Sequence, residues 1–351
     1  MASQDRPQSG PAIPDDAVAA FRAQAKHLAP FLQDQDLIEI CVNKPGELET
    51  ESIQGWEHHK VPQLTFENLM AFASVVANLT HQKINDESPL LSATLPDNER
   101  VQIVIPPAVP KNTVSLTIRK PSFVTRDLES LSSGGIFEDV KKPATTKKLE
   151  AGSVDWDLKT ALDAGDYITF LRKAVLGRKN IIISGATGSG KTTLSKALIK
   201  SIPPEERIIT IEDTPELEIP QPNHVRLFYS KGGQGRAKVG PKDLLESCLR
   251  MRPDRILLQE LRDGTAFYYI RNVNSGHPGS ITTVHADSAP LAFEQLTLLV
   301  KESEGGRDLE RGDIRNLLYT LVDIIIQCKR VNGKFRVTEI YFDPERRGVI
   351  T

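Results

Sequence analysis

Residues 185–192 read Gly-Ala-Thr-Gly-Ser-Gly-Lys-Thr, the spacing G-x-x-x-x-G-K-[ST]. The run follows the apolar stretch Ile181-Ile182-Ile183-Ser184 and opens a helix expected over Lys191–Lys200. No other feature constrains the fold as much. A buried strand has to end here in a tight turn, and glycines let backbone N–H groups curl around an anion. The next helix aims the positive end of its dipole at the same point. A nucleoside triphosphate suits this loop. Gly185, Thr187, Gly188, Ser189, Gly190 and Thr193 would line the phosphates, Lys191 would reach the β- and γ-groups, and the Thr192 hydroxyl would hold Mg²⁺.

The chain has 351 residues, enough for more than one core. Its 39% hydrophobic and 26% charged content is that of an ordinary globular protein. A net charge of −2 supplies no global attraction to nucleic acid or anionic lipid, so direct nucleic-acid binding is not expected. Cys41, Cys248 and Cys328 lie far apart without a C-x-x-C pair, which argues against a zinc ribbon and for reduced thiols in a cytoplasmic setting. No secretory leader opens the chain and no membrane-spanning apolar run occurs. Membrane association is therefore expected to be peripheral, or to pass through a partner.

Residues 1–14, rich in Pro and Ser, read as disordered. Residues 15–121 read as a smaller α+β domain. It has a helix after Asp15-Asp16, two strands within Asp36–Thr50, a helix over Phe66–Leu79 capped by Thr65, and strands over Val101–Ile105 and Val114–Ile118. Residues 122–165 lose apolar periodicity and read as a linker with a short helix or two. Thirty extended residues reach ~100 Å, at ~3.3 Å each, so the linker could seat the first domain on a neighbouring subunit.

From 166 to 351 strand and helix alternate, as a parallel α/β sheet requires. Strands are expected at Ile181–Ser184, Arg207–Ile211, Val225–Tyr229, Arg255–Leu258 and Ser280–Val284. Helices are expected at Tyr167–Leu176, Pro241–Met251, Gly264–Asn274, Pro290–Lys301 and Ile314–Val322. A hairpin turning through Asn332-Gly333 closes the chain.

Hydrolysis needs more than a phosphate loop: a carboxylate near the metal and a group that orients water. Two apolar strands end in acids, Ile208-Ile-Thr-Ile-Glu212-Asp213 and Ile256-Leu-Leu-Gln-Glu260-Leu-Arg262-Asp263. Ligands of a doubly wound sheet sit beyond the carboxyl ends of its strands, so both acids are expected to converge on one phosphate. Glu260 would hold the metal's water shell and Glu212 would act as base or water-orienter, although these roles could be exchanged. His285 closes the strand bearing Thr282 and Thr283 and reads as a γ-phosphate sensor; His277, between Gly276 and Gly279, is a weaker candidate. Arg262 could bind phosphate or pair with Glu212.

In order, these segments resemble the secretion-ATPase superfamily. They are the phosphate loop, Thr210-Ile-Glu-Asp-Thr214, Leu249-Arg-Met-Arg-Pro-Asp254 leading to Glu260-Leu-Arg262, and Gly276-His-Pro-Gly-Ser leading to Thr283-Val-His285. Upstream, Val42-Asn-Lys-Pro-Gly46, Ala93-Thr-Leu-Pro96 with Glu99-Arg100, and Ile118-Arg119-Lys-Pro121 resemble the traffic ATPases of type IV secretion in particular. The resemblance implies a RecA-like ATPase domain preceded by a smaller α+β domain, with ATP and Mg²⁺ as ligands. It also implies a homo-hexameric ring in the cytoplasm, held at the inner membrane by membrane-embedded secretion subunits and a coupling protein. By matching positions, Arg119 and Arg100 would reach the phosphates. Arg226, Arg236 and Arg250 are further interface candidates. One position departs from the pattern: Gln259 stands where the family usually has Gly before the glutamate.

Other readings carry different expectations. A type IV pilus or type II secretion motor would share the core, but type II motors often carry a four-cysteine zinc insert that is missing here. A RecA-like nucleic-acid translocase would show a basic groove interleaved with aromatic residues. A nucleotide switch without turnover would not need two strand-end acids.

Overall fold

The computed structural model describes residues 15–121, 133, 149–230 and 237–346. The expected disordered N-terminus, most of the expected linker and Arg236 lie outside them. The chain divides into two compact units. One runs to Pro106 and includes Lys111–Pro121; the other comprises Pro107–Pro110 and the chain from Ser122 onward.

The first unit lays helices on one face of a six-stranded antiparallel sheet. Its helices are α1 (Asp15–Gln24), α2 (Ala29–Gln33) and α3 (Phe66–Leu79), and its strands are β1 (Leu37–Val42), β2 (Glu47–Ser52), β3 (Gly55–Lys60), β4 (Leu90–Thr94), β5 (Arg100–Val104) and β6 (Ser115–Arg119). Thr65 Oγ1 accepts from Asn68 N at 3.3 Å, the expected cap of α3. Leu69, Phe72 and Val76 of α3 share a core with Ile40, Ile103, Leu116 and Ile118. The strand order is β3-β2-β1-β6-β5-β4. The reverse face carries Glu39 opposite Arg119, and Arg119 opposite Arg100.

The second unit is built on parallel strands: β7 (Ile181–Ser184), β8 (Ile208–Glu212), β9 (His224–Phe228), β10 (Arg255–Leu258), β11 (Ile281–Val284) and β12 (Ile324–Val331). β13 (Lys334–Phe342) returns antiparallel to β12. Pairing gives two runs, β9-β8-β10 and β11-β7-β12-β13. Side chains and one amide join them. Ser280 Oγ donates to Ile256 O at 2.7 Å, Thr283 Oγ1 to Gln259 O at 3.0 Å, and Leu261 N to Thr283 O at 2.8 Å. Ile181, Ile182, Ile183, Ile324, Ile325 and Ile326 are all fully buried, which explains why these strands read as unbroken apolar runs. Each such side chain contributes about 1.5–3 kcal/mol.

Helices α4 (Val154–Asp163), α5 (Tyr167–Leu176), α6 (Lys191–Ile199), α7 (Pro241–Cys248), α8 (Thr265–Asn274), α9 (Ala289–Glu302) and α10 (Arg311–Leu321) complete this unit. Helix α4 lies in the stretch read as linker, yet Leu158 is fully buried in the core of the second unit. Among the described residues no helix is long and apolar enough to cross a membrane.

Candidate active site at the carboxyl edge of the second sheet

Strand β7 ends at Ser184, and the backbone turns at once through Gly185 with φ +154°. A side chain there would run into Cys328 O and Ser189 Oγ. Gly190, φ +92°, caps α6, and a Cβ on it would meet the Phe335 ring at 3.1 Å. Only glycine suits either position. Thr187 is exposed on the loop, Thr192 is half-buried and Thr193 exposed on the first turn of α6, and Ser189 is buried with no partner for its Oγ.

Lys191 is buried, and its Nζ donates to Gly185 O at 2.6 Å and Ala186 O at 3.0 Å. It also lies 3.4 Å from His285 Nδ1, and His285 Nε2 lies 3.1 Å from Glu260 Oε1. An Nε2–H tautomer satisfies both neighbours: Nδ1 accepts from the ammonium and Nε2 donates to the carboxylate. Arg262 grips Glu260 through Nε and Nη2, and its Nη1 donates to Asp213 Oδ2 at 3.0 Å. A continuous polar line thus crosses the strand ends, from Asp213 after β8 to Glu260 after β10, His285 after β11 and Lys191 after β7.

Burial pushes the Glu260 carboxyl up, but the Arg262 hydrogen bond and charge, with His285 and Lys191, outweigh it and hold the group below its ordinary value. Burial lowers Lys191, and Glu260 is the main influence opposing that shift. Arg262 is raised by its bond to Glu260. Burial, with Asp213 second, pushes the nearby Tyr229 up to about 12. The geometry presents a cationic amine, a carboxylate held ionised and a relaying imidazole beside a loop open to an anion.

A family model described as "Type II/IV secretion system protein" matches residues 46–336. The chain belongs to that family. It is 60% identical over 339 residues to the type IV secretion system protein VirB11 of Bartonella henselae, covering 95% of each chain. It is 43% identical over 349 residues to VirB11 of Brucella suis, covering 97% of this chain and 96% of the other. The crystal structure of the VirB11 ATPase from the Brucella suis type IV secretion system, in complex with sulphate, superposes with a TM-score of 0.89. That match is 43% identical and covers 95% of this chain and 97% of that one. The second unit is accordingly a RecA-like phosphate-loop domain, and the chain is a secretion ATPase.

In this secretion ATPase, Lys191, Glu260, His285 and Arg262 come together as a group. Glu212 does not join their line. It is fully buried and accepts from Thr210 Oγ1 at 2.7 Å, Arg226 Nε and Nη2 at 2.9 and 2.8 Å, and the amides of Glu216 and Leu217 at 3.0 Å each. The expected convergence of two acids is thus met by Asp213, one residue on, and the partner of Arg262 is not Glu212 but Glu260 with Asp213. Arg226, read as an interface candidate, is the clamp on Glu212. His277 lies before β11, at the end of the sheet opposite His285, where burial lowers its pKa.

Several contributors escape a reading of the sequence. Glu216 Oε2 stands 3.5 Å from Thr192 Oγ1. Gln259 Oε1 accepts from Asp213 N at 3.2 Å, so the residue that departs from the family pattern ties β10 to the end of β8. Phe335 lies against Gly190. In the first unit, Arg119 is 65% exposed at its side chain and lies 3.6 Å from Glu39 Oε1 through Nε. Arg100 is its exposed cross-strand neighbour.

Proposed function

We propose that this secretion ATPase hydrolyses Mg²⁺-bound ATP at the carboxyl edge of its second unit, and that it does so as a homo-hexamer powering a type IV secretion system. The observation that carries the site is the unbroken line from Lys191 through His285 and Glu260 to Arg262 beside the glycine loop. The loop amides from Gly185 to Gly190 would take the phosphates as substrate, with Lys191 at the β- and γ-groups. Thr192 and Glu260 offer the hard oxygen donors that Mg²⁺ requires, so the residues present fit the ion. When bound, Mg²⁺ supplies charge neutralisation on the phosphate oxygens.

Glu260, held ionised by Arg262, would orient the attacking water and take its proton, with His285 relaying between the carboxylate and the terminal phosphate. Glu212 would act as a positioning residue, fixing residues 213–217 next to Thr192. Arg100 and Arg119 are proposed to meet the developing phosphoryl charge, as the family resemblance implies. The names of the VirB11 relatives support a place in a type IV secretion system. We assign the partners accordingly: membrane-embedded secretion subunits and a coupling protein, holding the cytoplasmic ring at the inner membrane.

The test combines turnover with assembly state. Lys191→Ala should abolish Mg²⁺-dependent ATP hydrolysis with the fold intact, and light scattering of the wild type should give the mass of six protomers. Undiminished hydrolysis in that variant would sink the site, and a stable monomer at working concentration would sink the ring.

A further inference from the structure

The polar line identifies one side of the phosphate loop as the place of the terminal phosphate. Sheet order puts β10 and β11, with Glu260 and His285, on that side of β7. A triphosphate lying along the loop must then send its nucleoside the other way, toward β12 and β13. β12 runs parallel to β7 with Gln327 level with Ser184, so its last residues and the β12–β13 turn extend beyond the sheet beside the loop. Cross-strand pairing sets Arg330 opposite Phe335 and Cys328 opposite Val337, on one face of this ribbon. Phe335 is 55% exposed although its ring presses on Gly190, and Val337 is 46% exposed. The Arg330 guanidinium stands 6.0 Å from the centre of that ring.

An exposed aromatic ring, held in place by a glycine it touches and flanked by a guanidinium and an exposed valine, is a stacking surface for a planar heterocycle. We infer that Phe335, with Arg330 and Val337, binds the nucleobase of the triphosphate. The inference rests on the ATPase reading and deepens it: β12–β13 recognises the base, while β7, β10 and β11 handle the phosphates.

Titration calorimetry of the full chain with ATP and with inorganic tripolyphosphate separates the two halves of the ligand. Phe335→Ala should weaken ATP about 10-fold and leave tripolyphosphate within about 2-fold, the loss of one base–aromatic stack. Phe335→Tyr should restore ATP affinity, and Val337→Ser should show a smaller loss confined to ATP. Equal weakening of both ligands by Phe335→Ala would mean that the ring only props the loop, and would overturn the inference. So would unchanged ATP affinity in Phe335→Ala against a wild type that binds both ligands. A wild type that binds neither removes the ATPase reading, and this inference with it.

Discussion

Glu212 takes both arms of the Arg226 guanidinium, at 2.9 and 2.8 Å, and has no exposed surface of its own. A carboxylate so buried is tolerated because five donors fill its lone pairs. A group whose oxygens are all committed within the protein is a good fastener. Removing one partner leaves the other charge buried and alone, which costs about 3–5 kcal/mol. Glu212→Ala and Arg226→Ala should therefore each lower the unfolding midpoint in denaturant sharply. The double variant should fall short of the sum of the two losses by about 1–3 kcal/mol. Additive losses would show that the two residues do not act as a pair.

Glu260 is placed differently. Arg262 and His285 engage it, yet it stands at the loop mouth on the same line as Lys191. Glu260→Gln keeps the shape and hydrogen-bonding reach and loses the charge. Turnover should fall by about 10²–10⁴-fold, as for loss of a positioned base, with ATP affinity at neutral pH changed little. Single-turnover assays beside equilibrium titration separate the two effects. Retained turnover would move the base to another residue, with Asp213 the first to examine.

The inner strands of the second unit could be read from the sequence because burial on two faces demands unbroken apolar runs, as in Ile181–Ile183 and Ile324–Ile326. The cap at Thr65 and the turn at Asn332-Gly333 were equally open to reading, since local hydrogen bonds and positive φ select those residue types. The missed strands, β3 and β4, are the two edges of the first sheet. β3, Gly-Trp-Glu-His-His-Lys, is largely exposed and carries no apolar alternation, as edges that resist further pairing often do. The site shows the same division. Lys191, Glu260 and His285 follow from motif spacing. The capture of Glu212 by Arg226 depends on register between β8 and β9, which sets Thr210 level with Arg226. No local pattern carries that.

At the opposite end of the sheet, Arg255 is fully buried and donates to Glu206 through Nε at 2.7 Å and Nη2 at 2.9 Å. It also bonds Val175 O at 2.9 Å and lies so close to Gly279 that a Cβ there would come within 2.7 Å of Nη1. This cluster is remote from the polar line. Glu206→Ala should lower the thermal midpoint by about 10 °C, from a buried-pair loss of about 3–5 kcal/mol and about 2–4 °C per kcal/mol. Turnover per folded molecule, measured well below that midpoint, should be unchanged. A thermally silent variant would show the pair to be energetically neutral.

The Lys191 ammonium gives a pH test of the line itself. Burial lowers its pKa, and the Glu260 carboxylate is the strongest influence holding it up. The protonated amine is the form that attracts phosphate, so ATP affinity should be complete below the Lys191 pKa and decline as pH rises through it. Glu260→Gln removes the supporting charge and lowers that pKa further. The decline in affinity should therefore begin at lower pH in the variant than in the wild type, with the two curves meeting near neutrality. Titrations with ATP from neutral to alkaline pH measure this directly. An alkaline limb in the same place for both proteins would show that the Glu260 charge does not support the Lys191 ammonium, and the polar line would lose the coupling between its two ends.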